Sequence, residues 1–500
     1  MGNDAAAASN AGSGRSAPAV PGSIESAAQL FALSAFALGQ PLLDLLGRYP
    51  PVLVAHEIAP AELVALTVAL LIGLPGALWG VEAALSRIHR RSVAWVHRAL
   101  VFGLLTATVL PLLRPLGHGA VLGGSAEWVV AGGVALAATI ALARSALLRR
   151  VVALLGLAPI VFAASFFANS DIAKLLQPDA GGIEASAPPE NPLPVVLVVF
   201  DELPLVSLLD ERSQIDAVRY PAFARLAAQS TWFRDATAVH VDTNHALPAI
   251  LTGRYPEPGL LGTRSDHPRN LFSLLEDHYE VVADEPITSL HAVAPRDAAS
   301  RAQRIAALAS DLRILALHIL LPADAADALP PVTELWRDFA AEPAAGDDAE
   351  LHANRPERFR EFVASMQPMD AASDTAGSPP PLYFLHSLLP HAPWQYLPSG
   401  RAYHPSNVGI DMSNWGAEPW WITQGQQQHL LQLGFTDALL GELVSRLETV
   451  GLFDRSLLIV TADHGAGFWP NRSRRDIHEH PSDAVGIPLF VKLPGQSERR

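Results

Sequence analysis

The chain has 500 residues, 50 % hydrophobic and only 17 % charged, which is too apolar for an ordinary soluble enzyme and too long for one compact domain. Its net charge of −15 is unevenly placed: residues 1–170 carry 10 Arg, no Lys and 7 acids, hence +3, which leaves −18 for residues 171–500. An acidic second part excludes nucleic acid as a partner, and the lack of cysteine excludes disulfides, iron–sulfur clusters, thiolate zinc sites and a cysteine nucleophile.

Residues 1–22, rich in Ala, Ser, Gly and Asn, read as a disordered tail. The apolar stretch Ala27–Leu46 is too long for a signal-peptide core and lacks a basic flank before it. With Ala59–Leu78, Ala94–Leu113, Trp128–Leu148 and Val151–Ala168 it predicts a five-helix transmembrane domain over residues 23–169. The third stretch is the weakest, because His97 and Arg98 interrupt its start. Arg87, Arg90, Arg91 and Arg98 cluster between spans two and three, and Arg144, Arg149 and Arg150 around the junction of four and five. The excess of basic residues in cytoplasmic loops puts both clusters inside. Five spans place them on one side, whereas removing the third span would separate them. The expectation is therefore a multi-pass protein of the cell (inner) membrane, with the bilayer as partner, a cytoplasmic N-terminus and an extracytoplasmic second half. A short amphipathic piece, Asn169–Leu176, and the Pro-, Gly-, Ala- and Ser-rich run Pro178–Pro194 make residues 170–194 a linker.

From Leu193 onward short β-branched runs alternate with helical ones, the pattern of an α/β domain with a mostly parallel central sheet and helices on both faces. Val195–Phe200, Tyr279–Ala283, Leu382–His386, Leu457–Ala462 and Ile487–Lys492 read as strands, and Tyr220–Gln229 and Gln427–Val450 as helices. Ligands of such sheets collect at the carboxyl ends of strands. There Asp201 and Glu202 follow one buried run, and Asp463 and His464 another. Hard oxygen donors with one imidazole suit a single divalent cation such as Mn²⁺, Zn²⁺, Mg²⁺ or Ca²⁺. Thr243 opens a short helical stretch ending at Gly253. Its hydroxyl is either a metal-activated nucleophile at the positive helix end or, as spacing alone favours, an ordinary N-cap.

Four separated segments resemble the alkaline phosphatase superfamily in its sulfatase-like branch. Val195-Val-Leu-Val-Val-Phe-Asp-Glu202 is similar to the first strand with its metal acids, and Tyr220–Ala227 with Ser230–Ala236 to the following helix and strand. Thr243 stands nine residues before Thr252-Gly-Arg-Tyr-Pro256, where the family has its nucleophile, and Leu458-Ile-Val-Thr-Ala-Asp-His-Gly465 is similar to the Asp-His-Gly metal motif. Leu385-His-Ser-Leu-Leu-Pro-His-Ala-Pro-Trp394 resembles the family's histidine motif. Five helices ahead of such a domain resemble the membrane-bound sulfatase-like hydrolases and transferases.

The resemblance implies that Asp201, Thr243, Asp463 and His464 ligate the metal, with Thr243 also the nucleophile and Glu202 at a second acid position used by some branches. It implies His391 as a catalytic substrate or leaving-group contact, with Asn244, His245, Arg474 and Arg475 lining the substrate. Three departures stand out. True sulfatases have Cys or Ser in a Cys-x-Pro-Ser-Arg pattern, whereas this chain has Thr243 first and Leu247 where the Arg would stand. No Asp-plus-His set for a second metal is visible. The chain also reaches Arg500 soon after Ile487–Pro494, so a domain of residues 195–500 is expected to lack a C-terminal subdomain.

The expected activity is a metal-dependent hydrolase or transferase acting on phosphate-linked envelope lipids, glycans or polymers. The rivals are a sulfuric ester hydrolase and a catalytically silent membrane scaffold or receptor. His386, His404, His429, His478 and His480 read as surface or strand-end histidines, Trp415–Trp421 as local packing or an interfacial lid, and Ala340–Glu350 as an exposed loop.

Overall fold

The computed structural model describes residues 23–88, 90–117, 124–177, 189–291, 298–321, 323–326, 329, 355–368, 379–403 and 414–499. The expected tail 1–22, linker residues 178–188, His404, Ala340–Glu350 and Arg500 lie outside the described residues. The chain divides into two compact units: one holds residues up to Leu45, Glu62–Ala168 and Leu315–Leu329, the other Leu46–Ala61, Asn169–Ile314 and Pro330–Arg500.

Five helices among the described residues are long and apolar enough to cross a bilayer: Ile24–Arg48, Pro60–Ile88, Ser92–Leu113, Ala126–Arg144 and Ala146–Ala168. Leu154, Leu157, Ile160 and Val161 on the last of these are exposed, an apolar face suited to lipid. The fourth helix stops at Arg144, four residues earlier than the apolar run, because Ser145 turns extended and caps the fifth by accepting from the Leu148 amide at 3.3 Å. His97, which weakened the third stretch in the sequence, is buried and paired. Its Nδ1 lies 2.9 Å from Glu82 Oε1 and its Nε2 3.0 Å from Gln29 Oε1. A polar group inside an apolar bundle is tolerable when partners on neighbouring helices satisfy it.

The second unit is built on a six-stranded sheet in the order β2-β6-β5-β1-β4-β3. Its strands are β1 (Val195–Asp201), β2 (Thr231–Phe233), β3 (Glu280–Asp284), β4 (Pro381–Pro390), β5 (Leu457–Ala462) and β6 (Leu489–Lys492). Strands β5, β1, β4 and β3 run parallel, while β6 and β2 close one edge antiparallel. Central position explains why β1 is an unbroken apolar run: both its faces are covered. Helices α1 (Pro221–Gln229), α3 (Arg355–Ser365) and α4 (Pro419–Thr449) cover one face. Phe200 packs there against Phe223 at 5.9 Å and Phe359 at 6.5 Å between ring centroids. Leu197, Val199 and Phe384 face the other way, onto Leu247 and Leu251 of helix α2 (Thr243–Thr252).

Helix α4 begins eight residues before the Gln427 expected from hydrophobic periodicity, because Pro419 at its first turn pre-sets the helical φ. The Trp-rich segment is thereby split. Trp415 is buried and stacked on Trp394 at 6.0 Å, whereas Trp420 and Trp421 stay exposed on the first turn of α4.

Helix α1 lacks a cap of its own, and Asp437 of α4 supplies one by accepting from the amides of Ala222 at 3.2 Å and Phe223 at 2.9 Å. Burial pushes its carboxyl up to about 6 from 3.8, against the two amide bonds. A carboxyl raised on folding binds its proton more tightly when folded, so the wild type loses stability as pH rises from about 3.8 through about 6. Asp437→Asn, which keeps one amide acceptor and cannot ionise, should gain in unfolding temperature relative to wild type as pH is raised across that window. Thermal unfolding of both proteins at a series of pH values checks this, and a difference that stays constant or reverses would contradict it.

Candidate active site

The site forms where three neighbouring parallel strands end together. In register, Val199 faces His386 of β4 and Phe200 faces Ala462 of β5. The next residues of β1 and β5, Asp201 and Asp463, therefore emerge side by side, with His386 on their other flank. One ligand atom from each of Asp201, His386 and Asp463 lies within 4.8 Å of the others, and all three residues are buried.

His464 follows, its Nε2 3.8 Å from Asp201 Oδ1 and 3.6 Å from Asp463 Oδ2. Its Nδ1 lies 2.9 Å from its neighbour's carbonyl, Gly465 O, so Nδ1 carries the proton and Nε2 presents a lone pair to the carboxylates. Gly465 is obligatory: a Cβ there would lie 2.2 Å from the Asp483 carbonyl oxygen and 3.1 Å from Pro204 Cα, both backbone.

Thr243 enters from α2. The N-cap of that helix is Asp242, whose side chain accepts from the Asn244 amide at 3.0 Å. Thr243 is thus the first helical residue, and its hydroxyl is spared from capping. It donates to Asp463 Oδ2 at 2.8 Å and sits 3.4 Å from His464 Nε2. At the far end Gly253 takes the left-handed conformation, φ 66°, that closes the helix and accounts for the Gly of Thr252-Gly-Arg254.

The chemistry of this donor set fits a divalent cation. Burial, then the neighbouring Asp463 carboxylate, raises the Asp201 carboxyl, and burial lowers the His386 imidazole. Asp201 Oδ1 and both ring nitrogens of His386 have no hydrogen-bond partner among the described residues. Buried polar atoms are normally satisfied, so a carboxylate oxygen and an imidazole left unsatisfied beside the Asp463 carboxylate are donors without their acceptor. Asp201, Asp463, His464 and Thr243 come together as the resemblance implies. His386 joins them, although its sequence reading was a strand-end histidine. The signal for it was the convergence rule itself: His386 ends the expected strand Leu382–His386, although β4 runs on to Pro390.

Glu202 turns the other way. Successive residues of a strand point to opposite faces, and Glu202 adopts a left-handed backbone, φ 58°. Its Oε2 accepts from Arg474 Nη1 at 2.7 Å and from the Ala392 amide at 3.4 Å, and lies 3.7 Å from His391 Nε2. Burial pushes its carboxyl up, but Arg474, then His391 and Arg475, more than offset this and hold it well below the usual carboxylate range.

His391 Nδ1 lies 2.6 Å from the Ala392 carbonyl, leaving Nε2 toward Glu202 and 3.3 Å from Arg475 Nη2. Two side chains hold this loop by its carbonyls. Arg355 donates to His391 O at 2.6 Å and Ala392 O at 2.9 Å, and Gln432 to Pro390 O at 3.0 Å and His391 O at 2.9 Å. Arg475 also approaches Asp242 at 3.6 Å. Asn244 and His245 border a cavity of about 390 Å³ that Arg254, Tyr255, His267 and Arg269 also line. His429, expected at the surface, is buried with Nε2 3.1 Å from Ser207 Oγ, and burial lowers it to about 4.

Residues 339–500 match the family model described as Sulfatase. Among solved structures, the chain is similar to the phosphonate monoester hydrolase SpPMH from Silicibacter pomeroyi, at 15 % identity over 61 % of this chain and 69 % of that one, TM-score 0.38. It is also similar to the phosphonate monoester hydrolase of Agrobacterium radiobacter, at 15 % identity over 62 % and 70 %, TM-score 0.36. A third is the putative sulfatase yidJ from Bacteroides fragilis, at 14 % identity over 64 % and 71 %, TM-score 0.35. No curated protein matches the chain. The region matched by that family model thus lies behind five helices apolar and long enough to cross a bilayer.

Breaking the buried Arg474–Glu202 pair leaves a carboxylate without its main partner. Arg474→Ala should cost about 3–5 kcal/mol of stability, whereas Arg475→Ala, at a half-buried position, should cost under about 1 kcal/mol. Denaturant titrations of the two variants read the difference directly, and equal effects would mean that Arg474 does not neutralise Glu202.

Proposed function

We propose that the protein is a membrane-bound, metal-dependent phosphoesterase or phosphotransferase that acts on phosphate-linked envelope substrates through Thr243. The observation that carries this reading is the Thr243 hydroxyl, the first side chain of α2, donating to Asp463 Oδ2 at 2.8 Å beside His464. A divalent cation bound by Asp201, Asp463, His464 and Thr243, with His386 adjacent, would lower the pKa of that hydroxyl and neutralise charge on a nonbridging phosphoryl oxygen. Asp463 Oδ2 accepts the proton as Thr243 Oγ forms a bond to phosphorus and the bond to the leaving oxygen breaks. His391 and Arg475, 3.3 Å apart beside Glu202, supply positive or proton-donating groups to the departing oxygen. Water or an acceptor alcohol then releases the phosphoryl group from Thr243, which makes the domain a hydrolase or a transferase according to the acceptor.

Phosphorus is favoured over sulfate esters by the nucleophile. Sulfatases of the Cys- or Ser-derived kind generate an aldehyde hydrate, and neither residue stands at position 243. The extracytoplasmic placement of the domain is supported by the segment between the first two spans. Within the second unit, His56 Nε2 lies 3.0 Å from Asp311, and Arg304 donates to the His56 and Glu57 carbonyls. That segment and the end of the fifth span then share one side of the bilayer, as five alternating spans require and four would not. Together with the Arg-rich loops this supports an outer placement of that shared side.

Thr243→Ala should lower turnover of phosphodiester and phosphomonoester substrates by about a thousandfold or more while the protein still folds. Intact-mass measurement of a slowed wild-type reaction should detect a phosphoryl or phosphodiester adduct on Thr243. Full activity in Thr243→Ala, or faster release of sulfate than of phosphorus-containing groups by the wild type, would overturn the assignment.

A further inference from the structure

The loop that carries His391 leaves β4 at Pro390 and is held by its main chain from two helices. Helix α3 begins at Arg355, and its Pro356, Phe359, Phe362 and Val363 are buried, with Phe359 stacked on Phe200 of β1. That packing gives the Arg355 side chain a fixed origin. From there Nη1 donates to Leu388 O at 3.3 Å and His391 O at 2.6 Å, and Nη2 to Ala392 O at 2.9 Å. Gln432, buried on α4, donates to Pro390 O and His391 O and accepts from the Gln395 amide at 2.9 Å.

One of these carbonyls serves a second donor. Ala392 O also accepts from His391 Nδ1 at 2.6 Å, so its two lone pairs are shared between an imidazole and a guanidinium. The acceptor that orients the His391 ring is thus itself placed by Arg355. With Nδ1–H committed to that carbonyl, Nε2 is the ring atom left to the site, 3.3 Å from Arg475 Nη2 and 3.7 Å from Glu202 Oε2.

The acceptors of Arg355 are all carbonyls, and it forms no ion pair among the described residues. Charge pairing therefore does not explain an arginine here. A planar fork of donors holds three oxygens in a fixed relation to one another, which the single ammonium of a lysine cannot do.

We propose that Arg355 is a positioning residue of the reaction, which through the His391 and Ala392 carbonyls fixes His391 Nε2 where the leaving oxygen departs. This rests on the roles given above to Thr243 and His391. In that step the bond between phosphorus and the leaving oxygen breaks with its electron pair on oxygen, and His391 Nε2–H donates to that oxygen. The more basic the leaving oxygen, the more it depends on the donor. Losing Arg355 should therefore slow esters of weakly acidic alcohols selectively, while the cation cluster keeps its donors.

The test compares the full-length wild type with Arg355→Gln and Arg355→Lys on two diesters. Methyl 4-nitrophenyl phosphate releases a phenolate that is stable without a proton, and methyl phenyl phosphate a more basic one. His391→Ala should lower kcat on the phenyl ester by about a hundredfold and on the nitrophenyl ester far less. Arg355→Gln should show the same selectivity with a loss of about tenfold or more on the phenyl ester, with KM and bound metal unchanged. Arg355→Lys, which keeps the charge but not the fork, should fall between Arg355→Gln and wild type. Combining Arg355→Gln with His391→Ala should cost no more on the phenyl ester than His391→Ala alone, because the two act as one unit. Amide hydrogen exchange read by mass spectrometry should rise across residues 388–395 in both Arg355 variants, whether or not substrate is present. Equal slowing of the two esters by Arg355→Gln, losses that add in the double variant, or unchanged exchange across 388–395 would each overturn the inference. Equal slowing of the two esters by His391→Ala would instead remove the role of His391, and full activity of Thr243→Ala that of the nucleophile, and either would take the inference with it.

Discussion

Two carboxylates buried side by side, Asp201 and Asp463, set the terms for everything around them. In a low-dielectric interior they repel each other, and neither can be charged at low cost without a compensating cation. Every nearby feature serves that compensation or holds the pair in place. The three adjacent strand ends fix the Cα positions, the Glu202 and His464 amides both donate to Asp463 Oδ1, and Gly465 lets the backbone pass within contact of Asp483. The Thr243 hydroxyl is directed at the same carboxylate because Asp242 has taken over the capping of α2.

The pleat of β1 divides the site into two poles. Asp201 faces the carboxylate cluster, and Glu202, one residue on, faces Arg474 and His391. The first pole attracts a cation. In the second, Glu202 is set against Arg474, Arg475 and His391, with Asp242 also near Arg475. A single Asp-Glu dipeptide thus contributes to both poles, and the distance between them is set by strand geometry. The half-buried side chain of Arg355 belongs to the same design at one remove: it holds the carbonyls of the loop that carries His391.

Periodicity and the convergence of strand ends made most of this legible in the sequence. The buried runs Val195–Phe200 and Leu457–Ala462 appear as strands, the first one residue longer to Asp201 and the second with the same ends, because fully covered parallel strands have no polar face to confuse their limits. What the sequence left open depends on register or backbone sign. The role of Glu202 turns on a left-handed φ that a local pattern does not reveal, and Thr243 becomes free of the helix cap only because the preceding Asp242 competes for it. His386 was visible as a strand-end residue, but its part in the cluster needs β4 to lie next to β1, a long-range pairing between segments almost two hundred residues apart. The antiparallel edge, β6 and β2, likewise depends on sheet order, on which strand composition is silent.

The membrane half obeys the same electrostatic rule in a drier medium. His97 and Arg98 made the third span look doubtful as a run of residues, yet His97 meets Glu82 and Gln29 from two other helices, so the polar interruption joins three spans instead of breaking one. Hydropathy sums residues along one helix and cannot register a partner on another, whereas the cost of a buried polar group is decided by that partner. The loop charge argument had already required the third span on independent grounds, since without it the two Arg clusters would face opposite sides. The packing of His56 against Asp311 adds a constraint of a third kind. It ties the segment between the first two apolar helices, which belongs to the second unit, to residues that the chain reaches only after the fifth.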